Sequence, residues 1–253
     1  MRFFTVLILA SVCGSGLHAQ DQTTDLQVKE RLGETIAIDT LLRDENAKEV
    51  ILSRLIDKPT LLTLNYFACA GICTPMLVGV AEAVDKMGLQ AGKDFQIITV
   101  SFDDKDTPDI ARQKRDNFIK LIGKPLPQDA WRFLTGTSTE TKALADSVGF
   151  PFLPNGLEYI HPGVIMMLSP KGVVTRYLYG ESYLPADLDM AVTEAAQEIP
   201  RPSIAKAFRF CFNYDPASRK YVFDLTRVTG IVILLLAAAF VAVITLKRKG
   251  KAS

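Results

Sequence analysis

The chain has 253 residues, a formal net charge of +1, 48% hydrophobic residues, four cysteines and two histidines. This composition excludes a disordered chain, a collagen and a disulfide-dense miniprotein, and the near-zero charge gives no electrostatic footprint for nucleic acid. So few cysteines and histidines also exclude a zinc ribbon or a multi-metal cluster, and any thiol or metal chemistry must use very few residues.

Residues 1–19 place Arg2 before an apolar run from Phe3 to Val12, then small residues up to Ala19. That order is a secretory signal peptide, with cleavage expected after Ala19. Residues 20–31 are polar and read as a flexible lead. Strand and helix patterns then alternate. Thr60–Tyr66 reads as a buried strand and Pro75–Met87 as a helix stopped by Gly88. Phe95–Phe102 is a second strand, and Pro108–Ile122 an amphipathic helix ending at Gly123. Trp131–Thr135 reads as a strand and Ser138–Val148 as a helix. Val164–Leu168 and Val173–Tyr179 form a hairpin across Ser169-Pro-Lys-Gly172, and Pro185–Glu198 is a closing helix. The order implies an α/β domain of three layers with a mixed sheet, over 32–199. Residues 200–227 read as linker and juxtamembrane segment, because Pro200 and Pro202 interrupt any helix.

Residues 228–246 carry no charge, and at about 1.5 Å per residue they reach roughly 28 Å, enough to cross a hydrocarbon core. Lys247, Arg248, Lys249 and Lys251 follow in the tail 247–253. The positive-inside rule assigns that tail to the cytoplasm and the domain to the outer face. Without Arg2 and the tail cations, residues 20–227 hold 24 basic and 28 acidic residues, a net charge of −4. The expectation is a mildly acidic domain outside a membrane that its own C-terminal helix crosses.

The candidate chemistry begins with Cys69 and Cys73, between the first strand and the first helix. A helix N-terminus favours the thiolate, which is both nucleophile and metal ligand. Three readings fit the pair: a plain disulfide, a redox-active dithiol, or two thiolate ligands for a soft metal such as Cu(I). His161 is the one histidine left after processing. It lies in a loop ahead of the late hairpin, and is either a surface residue or a third ligand. Two thiolates and one imidazole suit Cu(I), and Cu(II) if another ligand joins. Asp103, Asp104 and Asp106 form an acidic cluster. It reads as a solvated loop with Asp106 or Thr107 capping the next helix, and alternatively as an acidic contact surface or hard-metal site. Tyr159 and Phe152 read as packing residues. Cys211 is the odd thiol, most simply packed among Phe208, Phe210 and Phe212.

Several motifs occur together, in order. They are Cys69-x3-Cys73-x-Pro75 after an aromatic-ended strand, Ser101-Phe-Asp103-Asp-Lys-Asp106-Thr-Pro108, Trp131-Arg-Phe-Leu-Thr-Gly136, and His161 ahead of Leu168-Ser-Pro-Lys-Gly172. Over about residues 32–198 the chain resembles the SCO/SenC family of copper chaperones for cytochrome c oxidase. The resemblance implies a thioredoxin-like fold, copper as Cu(I) or Cu(II), and Cys69, Cys73 and His161 as its ligands. It also implies a partner, the oxidase subunit carrying CuA, with other copper chaperones or thioredoxin-like reductants as further partners. Cys69 and Cys73 would form a redox-active disulfide if oxidised. The chain departs from the family pattern with Ala70-Gly71-Ile72 between the cysteines, Asp104 where proline is usual, and an anchor at the C-terminus. The expected location is a bacterial inner membrane, with the domain in the periplasm. The competing function is a metal-independent thiol–disulfide oxidoreductase or thiol peroxidase on the same face. A third is a membrane-anchored structural module.

Overall fold

The computed structural model describes residues 26–69, 71–202, 212–215, 220–223 and Thr229. Its first elements are small: β1 (Leu41–Arg43), β2 (Glu49–Ile51) and the single turn α1 (Leu52–Leu55). The main pattern follows: β3 (Thr60–Asn65), α2 (Cys73–Lys86), β4 (Gln96–Ser101), α3 (Pro108–Ile119), β5 (Trp131–Leu134) and α4 (Ser138–Ser147). A short hairpin, β6 (Leu153–Asn155) and β7 (Glu158–Ile160), precedes β8 (Val164–Leu168), β9 (Val174–Tyr179) and α5 (Pro185–Ala196). A separate ribbon, β10 (Phe212–Asp215) and β11 (Lys220–Phe223), comes last.

The five long strands form one sheet in the order β5-β4-β3-β8-β9. β3, β4 and β5 run parallel, and β8 and β9 run antiparallel to their neighbours. Every residue of β3, β4 and β8 is buried, because helices cover both faces. On one face Leu62, Leu64, Ile98 and Val100 pack with Leu144 and Val148 of the α4 region. On the other, Leu61 and Ile97 pack with Met76 and Val80 of α2, Phe118 of α3 and Leu188 of α5. This is a thioredoxin-like three-layer α/β domain with a mixed sheet.

The helix starts follow local chemistry. Thr107 caps α3 by accepting from the Ile110 N–H, with Pro108 in the first turn. Thr137 and Glu140 form a reciprocal capping box on α4. α2 begins two residues before Pro75, so Cys73 is its first residue, and proline is tolerated within a first turn.

Two regions differ from the sequence expectation. Residues 26–31 are not a flexible lead: Leu26 and Val28 are buried, and Lys29 donates its N–H to the Gly149 carbonyl at 2.9 Å. The β1–β2 turn is held by buried charges. Glu45 accepts from Arg115 at 3.1 Å and from Arg132 at 3.0 Å, and Arg132 also donates to Asp44 at 3.0 Å. Among the described residues no helix is long and apolar enough to cross a membrane. The expected leader, and the expected span apart from Thr229, lie outside the described residues.

Candidate metal centre

Sheet topology brings the three candidate ligands together. β3 and β8 are antiparallel neighbours, with Thr63 opposite Ile165. The loop leaving β3 and the loop entering β8 therefore emerge at the same end of the sheet. The first carries Cys69, and Cys73 opens α2. The second carries His161, which directly follows β7. The ligand atoms of Cys69, Cys73 and His161 all lie within 4.8 Å of one another. His161 Nε2 is 3.0 Å from Cys73 Sγ, and the Cys73 backbone N–H donates to Cys69 Sγ at 3.4 Å. Both thiols are free.

The two thiols are electrostatically unlike. Hydrogen bonding from Cys73 above all, and from Tyr66, outweighs burial and lowers Cys69 to a pKa of about 3. Burial first, then the hydrogen bond and charge of the neighbouring Cys69, push Cys73 far up. The pair therefore gives up its first proton readily and its second with difficulty. Tyr66 is raised by burial and by Cys69, so its phenol stays protonated as a donor to the thiolate. His161 Nδ1 lies 3.1 Å from the Pro162 carbonyl, which can only accept. Nδ1 thus carries the proton, and Nε2 presents its lone pair toward the cysteines. Two sulfur donors and one such nitrogen form a soft set suited to Cu(I).

The centre is packed from all sides. Cys69, Cys73 and His161 are each at most 4% exposed. Tyr66, Phe102 and Phe150 set their rings 5.9, 5.4 and 5.8 Å from the imidazole. Phe152 stacks on Phe102 at 4.4 Å and Tyr159 meets it edge-on at 5.3 Å, so both are packing residues. Gly163 brings the two ligand loops close together: a Cβ there would lie 2.6 Å from Ile72 Cδ1, the movable end of that side chain.

The acidic cluster is neither a solvated loop nor an acidic contact surface in its two key members. Asp103 and Asp106 are buried. Asp106 accepts the Phe67 N–H at 2.7 Å and the Ser101 hydroxyl at 2.5 Å, two residues before Cys69. Asp103 accepts the Tyr159 hydroxyl at 3.4 Å, two residues before His161. Burial raises the Asp106 pKa above the ordinary carboxylate value. These oxygens are occupied by donors, so they hold the ligand loops and do not form a hard-metal site. Thr107 is the helix cap. The placing role of Asp103 and Asp106 was missed in the sequence, and its one signal was the shared motif from Ser101 to Pro108. Cys13 and Cys211 lie outside the described residues.

Fold and centre together define a thioredoxin-like domain that presents two cysteines at a strand–helix junction and one histidine from a neighbouring loop. The chain belongs to the SCO1/SenC family, whose model matches residues 29–197. It is 28% identical over 167 residues to Protein SCO1 homolog 1, mitochondrial, of Arabidopsis thaliana, covering 63% of this chain and 46% of that protein. The chain thus spans less than half the length of that curated relative. Among solved structures, a protein of Aquifex aeolicus VF5 for which electron transfer has been suggested matches with 29% identity and a TM-score of 0.59, over 66% of this chain and 95% of that one. Arabidopsis thaliana ScoI with copper bound matches with 23% identity and a TM-score of 0.53, over 64% of this chain and 99% of that one.

Proposed function

We propose that this chain is a membrane-tethered copper carrier that delivers Cu(I) to the CuA-bearing subunit of cytochrome c oxidase during assembly. The observation that carries the reading is the convergence of Cys69, Cys73 and His161 within 4.8 Å, with the imidazole lone pair aimed at the thiols. Membership of a family that serves oxidase assembly supplies the recipient. Copper is the cargo here. Cys69 offers a ready thiolate, Cys73 exchanges its proton for the metal, and His161 completes a three-donor site. Release proceeds by exchange of these ligands for a partner's thiolates. Because the donors are buried, a partner's thiolates reach the metal only after the packing around Cys69, Cys73 and His161 loosens.

The same pair supports a second reading, because an acidified Cys69 is a prepared nucleophile. Its thiolate would attack a partner disulfide, and Cys73 would then resolve the mixed disulfide. Two electrons and two protons pass to the partner, which leaves as a dithiol while Cys69 and Cys73 become the disulfide. His161 separates the readings, since thiol exchange does not need it.

Display of the domain on the periplasmic face is supported by the leader-like residues 1–19, the uncharged run 228–246 and the basic tail after it. Protease added outside spheroplasts should degrade the domain and spare the tail; a protected domain overturns this topology.

Copper titration of the reduced protein tests the site. Stoichiometric binding is expected. His161→Ala should weaken it by more than roughly 100-fold, the upper end for losing a group that merely supports a ligand. Binding unchanged by His161→Ala refutes the three-donor centre, and no binding by the wild type favours the oxidoreductase.

A further inference from the structure

The ribbon of β10 and β11 is not used by the metal centre. Its register sets Phe212 opposite Phe223 and Tyr214 opposite Tyr221. Residues alternate between faces along a strand, so these four aromatic positions share one face. Asn213, Val222, Asp215 and Lys220 share the other. The ribbon is a two-stranded sheet of its own.

Charge is segregated around it. Residues 20–202 hold 19 Lys and Arg against 26 Asp and Glu, a net −7, whereas residues 203–227 hold five against two, a net +3. Phe223 stands five residues before the uncharged run that starts at Val228. At no more than ~3.6 Å per residue, the end of the ribbon stays within roughly 18 Å of the start of that run.

We propose that the ribbon lies on the headgroup surface of an anionic bilayer, with its four-aromatic face toward the hydrocarbon boundary. The placing of residues 228–246 in that bilayer rests on the tethered reading above. Aromatic residues concentrate at the membrane–water interface, and juxtamembrane cations are drawn to anionic headgroups. The acidic domain is repelled from the same surface. The ribbon would therefore act as a spacer-side foot, while the domain and its ligand loops stay clear of the lipid. The exposed large apolar residues of the domain come from several elements, among them Leu41 on β1, Leu157 between β6 and β7 and Met190 on α5.

The test uses the full chain in vesicles of phosphatidylethanolamine and phosphatidylglycerol containing lipids brominated near the headgroup end of their acyl chains. Trp131 is the single tryptophan and is fully buried, so it serves as the internal reference. Two variants each add a second tryptophan, Tyr221→Trp on the aromatic face and Val222→Trp on the other. The added emission of Tyr221→Trp should be largely quenched, and that of Val222→Trp largely retained. Replacing phosphatidylglycerol by phosphatidylcholine should reduce the quenching. An unquenched Tyr221→Trp, as expected for a ribbon docked on its own domain, overturns the proposal, and so does equal quenching of both variants. Carbonate extraction of the wild type reports on the tether separately. A chain that is extracted, but whose ribbon is still quenched on added vesicles, defeats the tether and keeps the foot. A chain that resists extraction with an unquenched ribbon defeats the foot alone.

Discussion

The proton inventory of Cys69 and Cys73 makes copper loading a measurable acid–base event. Near neutral pH Cys69 is a thiolate and Cys73 holds its proton. Loading with Cu(I) should therefore release about one proton per metal, where a pair of ordinary thiols would release two. Calorimetry in buffers of different ionisation heat counts the protons, and a value near two contradicts the asymmetry. The same asymmetry sets a pH dependence for the reduced protein. Cys69 falls from 9.0 to about 3 on folding, so its stabilisation is complete above pH 9 and is lost as pH falls toward 3. Cys73 is raised, so its contribution holds below pH 9 and fades above it. Chemical denaturation across that range should show stability rising from acid toward neutrality, and Cys69→Ser should remove the rise. Asp106 acts one step further out. Asp106→Ala strips the acceptor from the buried Phe67 N–H and Ser101 hydroxyl, which should cost about 1–3 kcal/mol in urea denaturation. It should also weaken copper binding, because the chain two residues before Cys69 loses its anchor. Unchanged binding at lowered stability would make Asp106 a packing residue only.

At the scale of elements, β3, β4, α2, α3, α4, β8 and β9 were legible because each carries a local signature. Buried strands read as continuous apolar runs, and helices announce themselves by Thr107 before α3 and by proline in the first turn. β1, β2, β6 and β7 have three residues each, too few to display a period. The centre divides in the same way. Cys69 and Cys73 are neighbours in sequence, so their pairing at a helix start could be read directly. The residues alone left His161, 88 positions from Cys73, open as surface residue or third ligand, and the resemblance implied the ligand, since the approach depends on β8 lying beside β3. The bond from Phe67 to Asp106 spans 39 residues and was invisible for the same reason. Likewise, nothing local in Asp44-Glu45 shows that both carboxylates end up against Arg132. That cluster predicts an outcome for the β1–β2 turn. Arg132→Ala would leave Asp44 and Glu45 buried with one fewer cation, and breaking such a pair typically costs about 3–5 kcal/mol. A midpoint shift of that size is expected on chemical denaturation. The shift should shrink when Glu45→Gln is added to Arg132→Ala, and strict additivity of the two changes would show that the ions are not coupled.

At the scale of the whole molecule, the centre belongs to one unit of structure. Both core clusters, all five strands of the main sheet and all three donors fall between residues 26 and 202. The aromatic ribbon and the uncharged run lie after that unit. A chain of residues 20–202 should therefore stay in the supernatant after membranes are pelleted, and unfold in one cooperative transition. It should bind copper with the stoichiometry and affinity of the full chain in detergent. The comparison also resolves the odd thiol, because the shortened chain lacks Cys211 while keeping Cys69, Cys73 and His161. Equal affinity means that three donors are sufficient and that Cys211 is outside the site. A loss of affinity reproduced in the full chain by Cys211→Ser would instead make that thiol a fourth donor. The centre would then depend on the segment before the uncharged run and not on the sheet alone.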